Sequence, residues 1–345
     1  MPTLPPAQLT ALVARIFEAA GASQHNARVV AESLVLSDTV GHESHGVVRV
    51  RQYLNSIAAG EIAPAAEPTV ARETAVMASV DACRTFGQVA ARFAMGKAIE
   101  KAAAQGLAVA GIHHCNHVGR LGEWVHMAAA TGMVGLAFCS LGKRGAAVAP
   151  HGGAGRLLGT NPIAAAVPVA ARPPLIVDFA TSAVAEGKLR VARNRGLPIP
   201  EGWVVAPDGS PTSDPNDFYR GGALLPAAGH KGYGLGMLAE LLGGLLTDSG
   251  PEPQNAAAGH GTLFIVLNPG LFRPAEAFLA DAAELCARAA AVPPGAGFDE
   301  VLLPGDPEHR TAERRRAEGV PVDDATWAQL QEAAGALGVP IDLAL

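Results

Sequence analysis

The chain has 345 residues, 49% apolar and 17% charged, a balance that builds a large buried core and argues against disorder. Its formal net charge is −6 with acidic and basic residues intermixed, so nucleic acid and anionic membrane are not expected partners. The nearest approach to a basic run, Arg314-Arg315-Arg316, is flanked by Glu313 and Glu318 and reads as a solvated helix face.

The N-terminal residues carry no basic stretch followed by an apolar one, and the longest apolar run, 235–246, is short and contains Glu240. A cytoplasmic protein is expected. Cys83, Cys115, Cys139 and Cys286 show no paired spacing and read as reduced, mostly buried thiols.

In chain order, a first helix follows Pro5-Pro6 with Leu9, Leu12, Val13, Ile16 and Phe17 on one face, and stops at Gly21. Ser23 is the expected cap of a second helix carrying Val29, Val30, Leu34 and Leu36. A third is expected to hold residues 41–53 and to end near Gly60. A Pro/Ala-rich connection with a weak strand at 75–80 comes next. A helix at 86–104 then leads to a strand at 107–112, and a helix at 121–130 to a strand at 134–138. Further strands are expected at 175–177 and 263–267, the second preceded by a helix at 232–246. Helical patterns at 275–290, 307–318 and 323–334 close the chain. Short apolar strands between helices indicate an α/β fold whose sheet is covered on both faces.

Residues 41–53 read Gly-His-Glu-Ser-His-Gly-Val-Val-Arg-Val-Arg-Gln-Tyr. On one helix, His45, Arg49 and Tyr53 fall at i, i+4 and i+8 and share a face. Arg49 can grip a carboxylate through two parallel hydrogen bonds, His45 can exchange a proton near neutral pH, and Ser44 and Tyr53 can add hydrogen bonds. Together they read as a clamp for a small carboxylic acid with an acid/base group beside its α-carbon.

Four more clusters carry polar chemistry. His113-His114-Cys115-Asn116-His117-Val118-Gly119-Arg120 follows a strand, where α/β enzymes place functional groups. Gly159-Thr160-Asn161-Pro162 reads as a structural turn. Asp178-Phe179-Ala180-Thr181-Ser182 ends a strand; it suits either ribose and phosphate at a helix N-terminus or an ordinary helix cap. His230-Lys231-Gly232-Tyr233-Gly234 puts a cation beside a glycine run that opens a helix, which suits a pyrophosphate or carboxylate. Gly234-x-Gly236-x-x-Ala239 matches a dinucleotide fingerprint only as a bare pattern, because no strand runs directly into it. A metal site has ligands available in His42, Glu43, His45 and the 113–117 cluster, but His42-x-x-His45 misses the HExxH spacing by one residue.

These motifs, in this order, resemble the malate/L-lactate dehydrogenase family of the sulfolactate/ureidoglycolate dehydrogenase type, which is not Rossmann. The hydroxycarboxylate dehydrogenase branch is nearest, through Thr85-Phe86-Gly87-Gln88-Val89-Ala90 and Asn116-His117-Val118-Gly119-Arg120-Leu121-Gly122. The resemblance also covers 41–46, 159–162, 178–182, Gly187-Lys188, 230–234 and Leu303-Pro304-Gly305-Asp306. It implies a three-layer α/β/α fold in a homodimer. Residues 1–85 with 296–345 would form a helical dimerisation domain, and 86–295 an α/β domain that binds NAD or NADP. It further implies that Ser44, His45, Arg49, Tyr53 and His117 line the substrate pocket. Ser140, Asp178, Phe179, Ala180, Thr181, Ser182, His230, Lys231, Gly305, Asp306 and Pro307 would bind the cofactor. Lys143 or Arg144 would either meet a 2′-phosphate or lie in an exposed loop.

The expected reaction interconverts a 2-keto acid and a 2-hydroxy acid. Arg49 anchors the carboxylate, and His45 or His117 protonates the carbonyl oxygen as hydride arrives. No metal is expected. The alternatives are a cyclic imino-acid reductase using the same clamp and, from another class, a metal-dependent hydrolase.

Overall fold

The computed structural model describes residues 1–142, 145–249 and 259–341. A short strand β1 (Thr3–Leu4) enters α1 (Pro6–Ala19), where proline at the first turn presets φ and forgoes an amide that would have no partner. The expected apolar face, Leu9 to Phe17, is buried. Ser23 Oγ accepts the Asn26 N–H at 3.1 Å and caps α2 (Gln24–Thr39). Next, α3 spans only Val50–Ala58, because the preceding residues form two 3₁₀ turns instead of a helix.

An antiparallel hairpin of β2 (Thr69–Glu73) and β3 (Met77–Asp81) follows. Then come α4 (Gly87–Gln105), β4 (Leu107–Cys115), α5 (Leu121–Ala129) and β5 (Val134–Ser140). Two further strands, β6 (Ile163–Val167) and β7 (Leu175–Phe179), precede α6 (Glu186–Asn194). The very short β8 (Val204–Val205), β9 (Pro211–Thr212) and β10 (Ala223–Leu224) form a small separate sheet, with α7 (Asn216–Tyr219) between the last two. The expected 232–246 helix is α8 (His230–Ala239) continued by a π-helical stretch, Glu240–Leu245. After it come β11 (His260–Leu267), α9 (Ala275–Ala290), α10 (Asp306–Glu318), β12 (Val320–Pro321) and α11 (Asp324–Ala336).

The main sheet has the order β2-β3-β4-β11-β5-β6-β7. Among the described residues only the β3–β4 pairing is parallel; the other neighbours run antiparallel. Alternation along β4 assigns its two faces. Ala108, Ala110 and Ile112 join the core beneath α4 and α5 with Met95, Trp124 and Phe264. Gly111 points the other way, where a Cβ would stand 3.1 Å from Thr247 just past the π-helical stretch. A second core unites both chain ends: Leu9, Ile16 and Phe17 of α1 pack with Val320, Trp327 and Leu330. Thr3 pairs with Pro321 across β1 and β12. Among the described residues no helix is long and apolar enough to cross a membrane. Cys115, Cys139 and Cys286 are buried free thiols, and Cys83 is partly exposed.

Candidate active site

The 41–53 segment is shaped by Asp38, buried at the end of α2. Its Oδ2 accepts the Val47 N–H at 2.8 Å. Only glycine fits at 46, since a Cβ there would lie 1.8 Å from Asp38 Oδ1. This tether breaks the expected continuous helix into 3₁₀ turns at Glu43–His45 and Val47–Arg49, with Gly46 extended between them. The shared face of a single helix is therefore corrected, and a tertiary contact is the reason. Burial outweighs the Val47 hydrogen bond and pushes the Asp38 carboxyl up to about 7. From α10, Arg315 pairs with Glu43 at 2.6 Å and Glu308 with His42 at 3.0 Å, so the C-terminal region buttresses the loop.

Arg49 is oriented by Nε donating to Ser44 O and Nη1 to Gln52 Oε1, both at 2.6 Å. A guanidinium has five N–H donors, so its tip keeps donors without partners among the described residues. Three imidazoles gather near it. The rings of His45 and His117 are stacked at 5.4 Å, and His260 meets His117 edge-on at 5.3 Å. Burial first, and the Arg49 charge second, push His45 down to about 3, His260 to about 4 and His117 well below the usual imidazole value. His45 Nδ1 lies 3.0 Å from Ser44 Oγ. The site is one fixed cation beside three neutral rings, suited to receiving a carboxylate and exchanging a proton with its neighbouring carbon or oxygen.

Tyr53 sits on the buried side of α3, and its hydroxyl lies 2.6 Å from His117 Nδ1. Gln88 Nε2 donates to the same oxygen at 2.7 Å. The sequence reading missed Gln88 and His260 as members of this group. Gln88 was visible only as a letter in a motif, and His260 arrives from β11, far along the chain, with no local spacing to mark it.

The proposed cofactor residues fall in several places. Ser140 is buried at the end of β5, its Oγ accepting the Gly142 N–H at 3.0 Å. Asp178 Oδ2 accepts the Gly122 N–H at 2.7 Å and lies 3.9 Å from Arg120. Phe179 is exposed and Ala180 half-buried. Thr181 Oγ1 donates to the Thr160 and Asn161 carbonyls, and Ser182 Oγ to Val184 O. Because α6 starts only at Glu186, with Ala185 at its N-cap, residues 181–182 are not a helix cap, which corrects that reading. His230 and Lys231 are exposed at the start of α8, with the His230 ring 6.0 Å from His151. Gly234 and Gly236 lie inside α8 and form no strand-to-helix turn. Gly305 adopts φ +94°, Asp306 Oδ1 accepts from Arg172 at 2.6 Å, and Pro307 lies in the first turn of α10. Lys143 and Arg144 lie outside the described residues.

A cavity of about 480 Å³ joins Asp178 to Gly305 and Pro307, with Arg120 and His42 beside apolar walls such as Val40 and Ile176. Arg120 Nε is buried there without a hydrogen-bond partner among the described residues. The cavity is lined by charged groups, Glu123, His126 and Arg316 among them, as well as apolar ones, and an orphaned donor beside an acceptor carboxylate fits the sugar of a dinucleotide. The Arg120 charge also helps to lower His45. Of the suggested metal ligands, His113 and His114 come together with Asp81, their ligand atoms within 4.8 Å of one another. That group includes none of His42, Glu43, His45 or His117. Asn161 stays structural, its Nδ2 donating to Glu240 at 2.8 Å.

The sequence profile of the malate/L-lactate dehydrogenase family matches residues 4–331. The chain is 33% identical over 340 residues to hydroxycarboxylate dehydrogenase B of Escherichia coli (strain K12), covering 96% of this chain and 93% of that one. It is 36% identical over 340 residues to a delta(1)-pyrroline-2-carboxylate/delta(1)-piperideine-2-carboxylate reductase of Pseudomonas putida, covering 96% and 97%. Its fold superposes on sulfolactate dehydrogenase from Methanocaldococcus jannaschii with a TM-score of 0.91 at 32% identity, over 99% of both chains.

Proposed function

The chain belongs to the malate/L-lactate dehydrogenase family, and from that premise we propose that it interconverts a 2-keto acid and a 2-hydroxy acid with NAD or NADP. The observation that carries this reading is the Arg49 tip, with donors to spare, beside the neutral rings of His45 and His117. Arg49 binds the substrate carboxylate and Ser44 steadies it. The adjoining keto carbon then lies next to the imidazoles, and His45 or His117 gives the carbonyl oxygen its proton. When bound, the nicotinamide supplies or takes the hydride. Asp178, Arg120 and the Gly305–Asp306–Pro307 turn hold the dinucleotide around the cavity, with Ser140, Thr181 and His230-Lys231 along its course.

Two working units are proposed: a helical one from 1–85 with 296–345, and a cofactor-binding one from 86–295, in a three-layer α/β/α arrangement. A homodimer is part of the same proposal. Leu235, Leu238, Leu241 and Leu245 are all exposed along α8 and its π-helical continuation, an apolar stripe suited to a second copy of the chain. The same carboxylate grip also suits a cyclic 2-imino acid, a second reading that the identity to the Pseudomonas putida reductase favours.

A panel of 2-keto acids and one cyclic 2-imino acid, assayed with NADH and NADPH, tests the reading. Turnover of at least one acid, unaffected by a chelator, is expected. If neither cofactor is oxidised with any of them, the dehydrogenase assignment falls.

A further inference from the structure

The two nitrogens of His117 have different surroundings. Nδ1 faces the Tyr53 hydroxyl at 2.6 Å, and Nε2 lies on the opposite edge of the ring. Tyr53 has one proton to give and an oxygen that accepts. Gln88 approaches that oxygen with Nε2, which can only donate, at 2.7 Å. With the amide so turned, and Gln88 Oε1 buried without a partner among the described residues, the tyrosine proton is left for the lone pair of His117 Nδ1.

Backbone packing holds the three groups in place. Gly87 opens α4 so close to the loop after β4 that a Cβ would stand 2.1 Å from His117 O. Gly119, at φ +77°, leaves room for Gln88, whose Nε2 would otherwise meet a Cβ at 3.3 Å. Gln88 is wholly buried and Tyr53 nearly so. Water therefore does not compete for these bonds.

We infer that Gln88 and Tyr53 are positioning residues that hold His117 as the tautomer with its proton on Nε2, and that Tyr53 resupplies Nδ1 when that proton is given away. This rests on the proposed role of His117 as a proton donor to a keto acid. A neutral imidazole that gave up its only proton would become an anion. The relay avoids this. As the keto carbon accepts hydride, the C=O π pair takes the Nε2 proton and becomes the O–H bond. The electron pair of the broken N–H bond stays on the ring. The Nδ1 lone pair takes the Tyr53 proton, and the phenolate oxygen keeps its own bonding pair. Two donors then steady that oxygen, Gln88 Nε2–H and the new Nδ1–H, until water entering after product release restores the proton through His117. The low proton affinity of the ring, set by burial and Arg49, agrees with a histidine that works from its neutral form, while burial pushes the Tyr53 phenol up to about 12 and makes its phenolate a short-lived state.

The test is nitrogen-15 NMR of histidine-labelled protein without cofactor, joined to steady-state kinetics. In the wild type, His117 should carry its proton on Nε2 and show Nδ1 as an unprotonated acceptor. A proton on Nδ1 overturns the inference. Gln88→Leu should let a second tautomer appear and lower kcat about three- to tenfold, with KM for the keto acid little changed. Wild-type kcat and a single Nε2–H signal in that variant would remove Gln88 from the relay. Tyr53→Phe should lower kcat at least about tenfold at nearly constant KM; a raised KM with kcat intact would instead make Tyr53 part of the carboxylate grip. If the tautomers shift as expected and every variant keeps its kcat, positioning survives, and both the resupply step and the donor role of His117 are refuted.

Discussion

His45 lies over His117 with ring centroids 5.4 Å apart and planes 23° from parallel. Protonating either ring would place a second cation beside Arg49 in a buried site, which is why both are held neutral. Removing either ring should be costly. His117→Ala or His45→Ala is expected to lower kcat about 100-fold or more, measured with saturating keto acid and cofactor. Retention of near wild-type kcat by both variants would contradict proton transfer at this pair.

The same electrostatics sets a pH profile. kcat/KM reports the free enzyme, in which burial and then the Arg49 charge push His45 down to about 3 from its ordinary 6.5. The reduction rate should therefore show no histidine ionisation between about pH 5 and 8. An inflection near 6.5 that disappears in His45→Ala would show that ring to be solvated after all.

Arg49→Lys keeps a positive charge but loses the planar fork. Because Nε and Nη1 of Arg49 are already engaged with Ser44 and Gln52, a lysine cannot both brace the loop and grip two oxygens. KM for the acid should rise about tenfold or more while kcat falls far less. Equal KM values for the two proteins would place the carboxylate elsewhere.

Asp38 predicts a stability effect with a definite sign. Its folded value of about 7 lies above the ordinary 3.8, so the folded state holds this proton more tightly than the unfolded chain. Its contribution is complete below about pH 4 and is lost as pH rises through about 7. Asp38→Asn keeps an acceptor for the Val47 N–H and removes the ionisation. The variant should gain stability relative to wild type as pH is raised from 4 to 8, with a ceiling of about 4 kcal/mol. Denaturant titrations across that range check it, and parallel pH curves for the two proteins would count against the burial argument.

Leu238, in the middle of the exposed leucine stripe, offers the test of assembly. Leu238→Asp should shift sedimentation from dimer to monomer at micromolar concentration while leaving the helical signal intact. A wild-type monomer, or an unaltered dimer in the variant, would move the interface elsewhere or abolish it.

Most helices were legible because their signals are local, although α6 and α7 were not foreseen and the helix expected over 41–53 begins only at Val50. Ser23 caps where a serine before an apolar period should, and α9 runs over the residues its pattern marks. The antiparallel character of the sheet was not legible, since β6 is Ile-Ala-Ala-Ala-Val and has no alternation of polarity to read. The site was legible in its parts. His45, Arg49, Tyr53 and His117 were expected in one pocket and do lie together, but the helix face expected to join His45, Arg49 and Tyr53 was not real. The bend at Gly46 depends on a carboxylate eight residues earlier, and helical periodicity contains no information about that contact. His260 is a purely tertiary arrival.

The position of β11 has a consequence for how the chain is made. It is the last strand of the main sheet in sequence and lies in its middle, with β4 on one side and β5 on the other. On a chain emerging from the ribosome, the facing edges of β4 and β5 lack their common partner until residue 267 is available. Closure then pairs segments more than a hundred residues apart, the kind of long-range step that slows folding and exposes strand edges in the meantime. The strand that completes the sheet also delivers His260 beside His117, so the pocket is complete only once the sheet has closed.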